Sequence, residues 1–199
     1  MSATSYHSIK TATTTEYVVS RSRFLGYAAP ASTQADVQEY IREVSARHPG
    51  ATHCCWAYKV GFPDNFSEHF SDAGEPSGTA GRPILGVISQ FKLQNVIIIV
   101  VRYFGGTKLG VRGLIDAYST TARQTIERAE IIEKHQMMIL KVQMPYSIFD
   151  TVKHQITTFG GRIISPKFET EIFCEISIPV ENHQILLDEL QSKGAKIHN

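Results

Sequence analysis

Residues 96–114 read VIIIVVRYFGGTKLGVRGL, and they determine how the chain is expected to fold. The first six are all β-branched, so this strand is too apolar to alternate and is expected to be covered on both faces, as a central strand is. Gly105 and Gly106 follow the strand, and a helix is predicted from about Gly113 to Lys134. A strand, a glycine turn and a helix start together can present unpaired backbone N–H groups to an anion.

Basic side chains accompany this glycine turn and a second glycine-rich stretch, residues 72–83, which read DAGEPSGTAGRP. That density of glycine and proline predicts a loop. We expect the two segments to meet and to form one groove that binds an anion or a nucleic acid. The groove residues would be Arg82, Arg102, Gly105, Gly106, Lys108 and Arg112, with Asp72, Glu75, Ser77 and Thr79 on its rim.

A structural alternative stays open at this point. Neither segment is a Walker motif or a dinucleotide G-x-G-x-x-G, so the glycines could serve only to pack the turn tightly. The charges would then pair with one another, Asp72 with Arg82 and Asp116 with Arg112. The chain also has no nucleophile elbow and no His-Glu-x-x-His motif. We therefore assign no catalytic residue.

The composition limits the possible partners. The chain has 199 residues and a formal net charge of +1, which excludes a protein that binds nucleic acid with its whole surface, because such affinity needs many neutralised phosphates. The longest apolar run is too short to span a bilayer, so no membrane partner is expected. The lack of a secretory signal and three cysteines, two of them adjacent, predict a cytoplasmic protein. His-Cys-Cys lacks zinc-site spacing, so no metal or cofactor is expected.

The pattern of elements restarts near His135 and predicts two domains, residues 1–134 and 135–199. The order strand, helix, strand, strand, helix and a last edge strand suggests a ferredoxin-like unit for the second. Its helices would cover one face of the sheet. One strand is expected to carry Phe168, Thr170, Ile172, Cys174, Ile176 and Ile178 on one face and Glu169, Glu171 and Glu175 on the other, solvated face.

Four motifs, in order, resemble the IMPACT family in its two-domain bacterial form, the YigZ type. They are SRFLG (22–26), ATHCCWAY (51–58), SDAGEPSGTAGRPIL (71–85) and VRYFGGTKLGVRGLIDAYS (101–119). Each motif alone is weak, but the combination is specific. With the small second domain, the resemblance extends over nearly the whole chain.

The resemblance implies an α+β fold. The first domain would resemble the second domain of small-subunit ribosomal protein five, with helices on one side of a βαβ-type sheet. The second would resemble domain five of elongation factor G. Eukaryotic members of the family are translational regulators that compete for an activator of a stress-responsive initiation-factor kinase. Bacterial members have no settled biochemical role.

Two hypotheses follow for the function. The first is a non-enzymatic cytosolic regulator near translation that binds RNA or a ribosome-associated protein through the basic groove. The alternative is an enzyme or sensor that binds a phosphorylated small molecule or a nucleotide in the same groove, with Asp72 or Glu75 holding a metal or acting as a base. The sequence does not determine the oligomeric state.

Overall fold

The computed structural model describes residues 4–198, and the chain divides into two units, the residues up to Lys134 and those from His135 on. The first part of the chain contains β1 (Ser5–Ile9), β2 (Thr13–Val19), β3 (Ser22–Pro30), α1 (Gln34–Arg47), β4 (His53–Phe62), β5 (Asn65–Ser71), α2 (Gly81–Gln90), β6 (Val96–Tyr103), α3 (Gly110–Glu127) and β7 (Ile131–His135). The second unit contains β8 (Met137–Met144), α4 (Tyr146–Thr158), β9 (Arg162–Ile163), β10 (Lys167–Phe168), β11 (Ile172–Pro179), α5 (His183–Ser192) and β12 (Lys196–His198).

The apolar strand β6 lies at the centre of the first unit. It pairs antiparallel with β3 and β4 in a five-stranded sheet of order β2-β3-β6-β4-β5. Its residues from Val96 to Arg102 are all buried. The expectation of a central strand covered on both faces is therefore confirmed.

Helices cover both faces of this sheet. Residues of α2 and α3 pack on one face, where they share a core with Ile98 and Val100 of β6. On the other face Val37 and Val44 of α1 pack in a separate core that includes Ile97. The prediction of helices on one side is therefore wrong for the first unit. The physical reason is that β6 is apolar on both faces, so each face has to be covered.

The start of α1 has a reciprocal cap. The Asp36 amide donates to Thr33 Oγ1 at 3.1 Å, and the Thr33 amide donates to Asp36 Oδ2 at 3.0 Å. This capping box satisfies two of the N–H groups that a helix start leaves without intrahelical partners. The amphipathic helix of residues 34–47 is thus fixed where it begins.

Two helix boundaries differ from the prediction. Helix α3 runs from Gly110 to Glu127 and does not reach Lys134, because the chain after it forms β7 and pairs with β1, a strand that the sequence pattern did not predict. Helix α2 begins at Gly81, so the glycine-rich loop ends at Ala80. Pro83 then lies in the first turn of α2, where its missing N–H removes no intrahelical hydrogen bond.

The second unit has a sheet of order β10-β11-β8-β12, with β9 also paired to β11. Val152 and Ile156 of α4 and Leu186 and Leu190 of α5 share one core with β8 and β11, so both helices lie on one face of this sheet. The predicted last edge strand is confirmed as β12, which pairs with β8. The final residue, Asn199, lies outside the described residues.

The predicted long alternating strand of the second unit is interrupted. Residues 169–171 form a turn between β10 and β11, so that Phe168 lies opposite Ile172 in the register. Phe168 is 59% exposed, and the Gln143 side chain donates to the Glu171 carboxylate. The expectation of a strand face striped with Glu169, Glu171 and Glu175 is wrong, because two of these residues lie in the hairpin turn.

Candidate functional site

The glycine turn after β6 packs directly against the turn that joins β2 and β3. A Cβ atom on Gly105 would lie 2.0 Å from the carbonyl carbon of Arg21, which only glycine avoids. The Gly105 amide donates to Ser22 Oγ at 3.1 Å. Ser20 and Arg21 adopt left-handed backbone conformations, with φ of 48° and 64°. A two-residue hairpin turn requires such conformations to match the right-handed twist of the two strands. Arg21 is therefore held next to the glycine turn.

The start of α3 has positive charge and no side-chain cap. Leu109 is the N-cap residue, no side chain caps the helix, and its first turn contains no acidic residue. Lys108 and Arg112 are both exposed here, and within residues 4–198 neither makes an ion pair. The positive end of the helix dipole and two unpaired cations thus lie at the same place.

Exposed apolar side chains lie among these charges. Phe104, directly before the two glycines, is 48% exposed, and Val111 is 61% exposed. We call residues 104–112 together with Arg21 the basic turn. Its composition, cations beside an exposed aromatic ring, is the combination that single-stranded nucleic acids bind.

Arg102 lies in the interior and not on an exposed surface. Its side chain is 6% exposed, and it donates a hydrogen bond of 2.6 Å to Glu75 Oε1. The Tyr118 hydroxyl donates to the same oxygen at 2.9 Å, and His53 Nε2 lies 3.9 Å from Glu75 Oε2. The structure therefore brings two of the predicted groove and rim residues together as a buried ion pair.

The carboxylate of Asp72 organises the loop before α2. It accepts hydrogen bonds from the amides of Gly78 at 2.8 Å, Ala80 at 3.0 Å and Gly81 at 2.8 Å. Burial would raise the pKa of Asp72, but these hydrogen bonds and the charge of Arg82 outweigh burial, and the pKa lies below its ordinary value. Asp72 thus caps α2 from nine residues away.

The other polar residues of this loop divide between interior and surface. The Thr79 hydroxyl is buried and donates to the Pro76 carbonyl oxygen at 2.7 Å. Ser77 is exposed, and so is Arg82 in the first turn of α2. Of the expected rim, only Ser77 has an exposed side chain.

The polar side chains next to this loop contact one another and the carbonyl oxygens of the loop. Cys55 Sγ lies 2.9 Å from the Asp72 carbonyl oxygen and 3.4 Å from the Tyr118 hydroxyl, and burial raises the pKa of Cys55 to about 12. His53 Nδ1 lies 2.9 Å from the Ala73 carbonyl oxygen. Within residues 4–198 no three His, Cys, Asp or Glu residues lie where they could hold a metal ion.

The structure thus separates the predicted residues into two groups. Lys108 and Arg112 lie exposed on the basic turn, whereas Arg102 and Glu75 pair in the interior. Arg21 was not predicted, because no local pattern indicates a contact between residues more than eighty positions apart. None of the helices in the described residues combines the length and apolar character needed to cross a membrane.

Comparison with known proteins gives consistent similarities. The family model of the Impact N-terminal domain matches residues 20–126. The IMPACT family member YvyE of Bacillus subtilis is 36% identical over 152 residues, which are 76% of this chain and 70% of that protein. An IMPACT family member of Haemophilus influenzae is 30% identical over 187 residues, 94% of this chain and 91% of the relative. A crystal structure of a hypothetical protein aligns with a TM-score of 0.74 and 25% identity, over 99% of this chain and 97% of the other.

Proposed function

This chain belongs to the IMPACT family, and from that premise we propose that it is a non-enzymatic cytoplasmic protein that acts near translation by binding single-stranded RNA at the basic turn. The observation that carries the proposal is the exposure of Lys108 and Arg112, unpaired within the described residues, at the uncapped start of α3. The role near translation rests on the regulatory role of the family's eukaryotic members.

The electrostatics favour a phosphate at this place. The first-turn amides of a helix carry partial positive charge, which attracts anions, and the effect falls off within that turn. Lys108 lies two residues before α3 and Arg112 lies in its first turn, and Arg21 is held beside Gly105 by backbone contact. Three cations that neutralise about three phosphates of a single strand would give a log–log salt slope of about −2.

The exposed ring of Phe104 favours single-stranded RNA over a small phosphorylated metabolite. A base can stack on an exposed aromatic ring, which contributes about 1–3 kcal/mol per base. The Arg102 guanidinium lies 5.5 Å from the centroid of the Phe104 ring, so the buried ion pair supports the ring from beneath. A phosphorylated metabolite without a base could not stack on this ring and would gain no such energy.

A non-enzymatic role is supported by how the first unit uses its reactive groups. The raised pKa of Cys55 makes it a poor nucleophile at neutral pH. Glu75 is paired with Arg102, and Asp72 accepts three backbone hydrogen bonds. These carboxylates would have to break existing contacts to act as a base or to hold a metal.

The test is a titration of the full chain with a fluorescent single-stranded RNA at several salt concentrations. Lys108→Ala with Arg112→Ala should weaken binding and reduce the slope by about 1.4, because two of the phosphate contacts are lost. The matched control removes two exposed cations elsewhere in the unit, Arg42→Ala with Arg128→Ala, and should leave the slope unchanged.

Two results would reject the proposal. One is RNA binding without salt dependence or with equal losses in both double variants. The other is stabilisation of the chain by a phosphorylated metabolite, lost in Lys108→Ala, with no RNA binding, which would favour the enzyme or sensor.

The likeness of the two units to domains of ribosomal protein five and elongation factor G stays a prediction. The antiparallel sheets with helices packed on them support it in outline.

A further inference from the structure

The sheet of the second unit has a second face, opposite to the face on which α4 and α5 pack. Residues directly opposite one another in a sheet have their side chains on the same side. Lys141 of β8 lies opposite Glu175 of β11 and opposite His198 of β12. Phe173 of β11 lies opposite Lys167 of β10. These five side chains therefore share one face, opposite to the core with α4 and α5.

This face has more cations than acids, in contrast to the solvated glutamate stripe that the sequence predicted. The Lys196 side chain lies on the same face, because Lys196 is opposite Gln143 in the register and Gln143 is two residues after Lys141 on β8. Lys141, Lys167 and Lys196 are exposed, and within residues 4–198 none of the three makes an ion pair. Since Glu169 and Glu171 belong to the hairpin turn, Glu175 is the acid that remains on the strand.

A chain of hydrogen bonds orients His198 on this face. A carboxylate only accepts hydrogen bonds, so the amide nitrogen of Gln143 must face Glu171, to which it donates. The amide oxygen of Gln143 then faces His198 Nε2, 2.9 Å away. His198 Nε2 is therefore the donor to Gln143, and Nδ1 is the nitrogen left for another partner.

An open pocket of about 430 Å³ lies on this face. This volume lies within the range of about 300–1,000 Å³ that is usual for sites of small molecules. The cavity has charged and polar groups together with one aromatic ring. Its lining includes Lys141, Ser165, Lys167, Phe173, Glu175 and His198.

We infer that this cavity binds a nucleotide, with its phosphate between Lys141 and Lys167 and its base against Phe173. Unpaired lysines and a serine hydroxyl supply cations and a donor for a phosphate, and an aromatic ring supplies a stacking surface for a base. Glu175 would accept hydrogen bonds from the hydroxyl and amino groups of a nucleotide. The inference rests on the second unit and does not depend on the basic turn.

The test uses the full, isotope-labelled chain in NMR titrations with AMP and, separately, with a six-nucleotide oligo(A) RNA. Both probes supply the same phosphate and base, one as a free nucleotide and the other as part of a strand. Amide signals of β8 and β11 are expected to shift. A shift with both probes assigns the site to free nucleotides and strands alike, and a shift with the RNA alone assigns it to a strand.

Three variants identify the contacts. Lys141→Ala with Lys167→Ala should weaken binding by about tenfold per lysine, because each removes a charged hydrogen bond. Phe173→Leu keeps an apolar side chain and should weaken binding by about 5- to 100-fold through lost stacking. The control, Lys153→Ala with Lys193→Ala, removes two lysines of α4 and of the end of α5, and should change affinity by less than about twofold.

The inference is overturned if neither probe shifts β8 or β11, if the control loses as much affinity as the lysine pair, or if an acidic peptide binds there and the nucleotides do not. The same titrations on Lys108→Ala with Arg112→Ala separate the two sites. Shifts in β8 and β11 that persist in that variant support this site even if RNA binding by the basic turn fails. Shifts that disappear in it would overturn a separate site in the second unit.

Discussion

Arg102 donates a hydrogen bond of 2.6 Å to Glu75 Oε1, and their side chains are 6% and 3% exposed. The pair connects the end of the central strand β6 to the loop before α2. The Tyr118 hydroxyl of α3 donates to the same carboxylate oxygen. Three segments of the first unit thus meet at one buried carboxylate, and their positions depend on it.

Glu75→Ala should destabilise the chain by about 3–5 kcal/mol, because it leaves the buried Arg102 charge without its partner. Urea denaturation measures the free energy of unfolding. The control is Glu43→Ala, which breaks an exposed pair with Arg47 and should cost no more than about 0.5 kcal/mol. Adding Arg102→Leu to Glu75→Ala should recover part of the loss. Equal costs for Glu75→Ala and Glu43→Ala would contradict the structural role of the buried pair.

The parts of the fold that the sequence predicted are those with strong local patterns. Strand β6 was predicted from its run of β-branched residues, and α1 from apolar residues at helical spacing. Strand β5 was missed because five of its seven residues are polar, and most of it is exposed. The end of α3 was missed because the apolar pattern continues into β7, where pairing with β1 replaces the helix.

The candidate site was predicted less well because its contacts are distant in the sequence. Lys108 and Arg112 are neighbours of the glycine turn, so a local pattern was enough to find them. The partner of Arg102 is 27 positions away, and the pairings considered from the sequence, Asp72 with Arg82 and Asp116 with Arg112, did not include it. Charge alone does not decide which acid a buried arginine meets.

Gly105→Ala should destabilise the chain by more than about 2 kcal/mol, because the new Cβ would lie 2.0 Å from the backbone of Arg21 and backbone cannot rotate away as a side chain can. Thermal unfolding measures the effect. Gly86→Ala is the control, since this helical glycine has open space around its Cβ position. It should stabilise the chain by about 0.4–1 kcal/mol, as alanine usually does in a helix. A Gly105→Ala chain of unchanged stability would show that the two turns do not pack tightly.

Asp72→Asn should lower the free energy of unfolding at pH 7 by about 1–3 kcal/mol, because the asparagine side chain is uncharged and has one acceptor oxygen, so it cannot accept all three amide hydrogen bonds that the two carboxylate oxygens share. The pKa of Asp72 is below its ordinary value of 3.8 in the folded chain. The charged carboxylate therefore stabilises the fold above the pKa of the unfolded chain, and this contribution is lost as pH falls through the lower folded pKa.

The difference in stability between the original chain and Asp72→Asn should accordingly be largest at neutral pH and should shrink at pH values below 3.8. Denaturation curves at several pH values measure this. Asp116→Asn is the control, because Asp116 is exposed on α3 and its carboxylate makes no ion pair within residues 4–198. A gap for Asp72→Asn that stays constant with pH would show that the charge of Asp72 does not stabilise the loop.

The thiols should react slowly in the folded chain. Burial raises the pKa of Cys55 to about 12 and that of Cys174 to about 11, so at pH 8 only about one Cys55 side chain in 10,000 is a reactive thiolate. Cys54 is only half-buried and should be alkylated first. Mass spectrometry after timed exposure to iodoacetamide, folded and in denaturant, measures the three rates. Labelling of folded Cys55 at the rate of an unfolded thiol would make Cys55 a candidate nucleophile and would weigh against a non-enzymatic role.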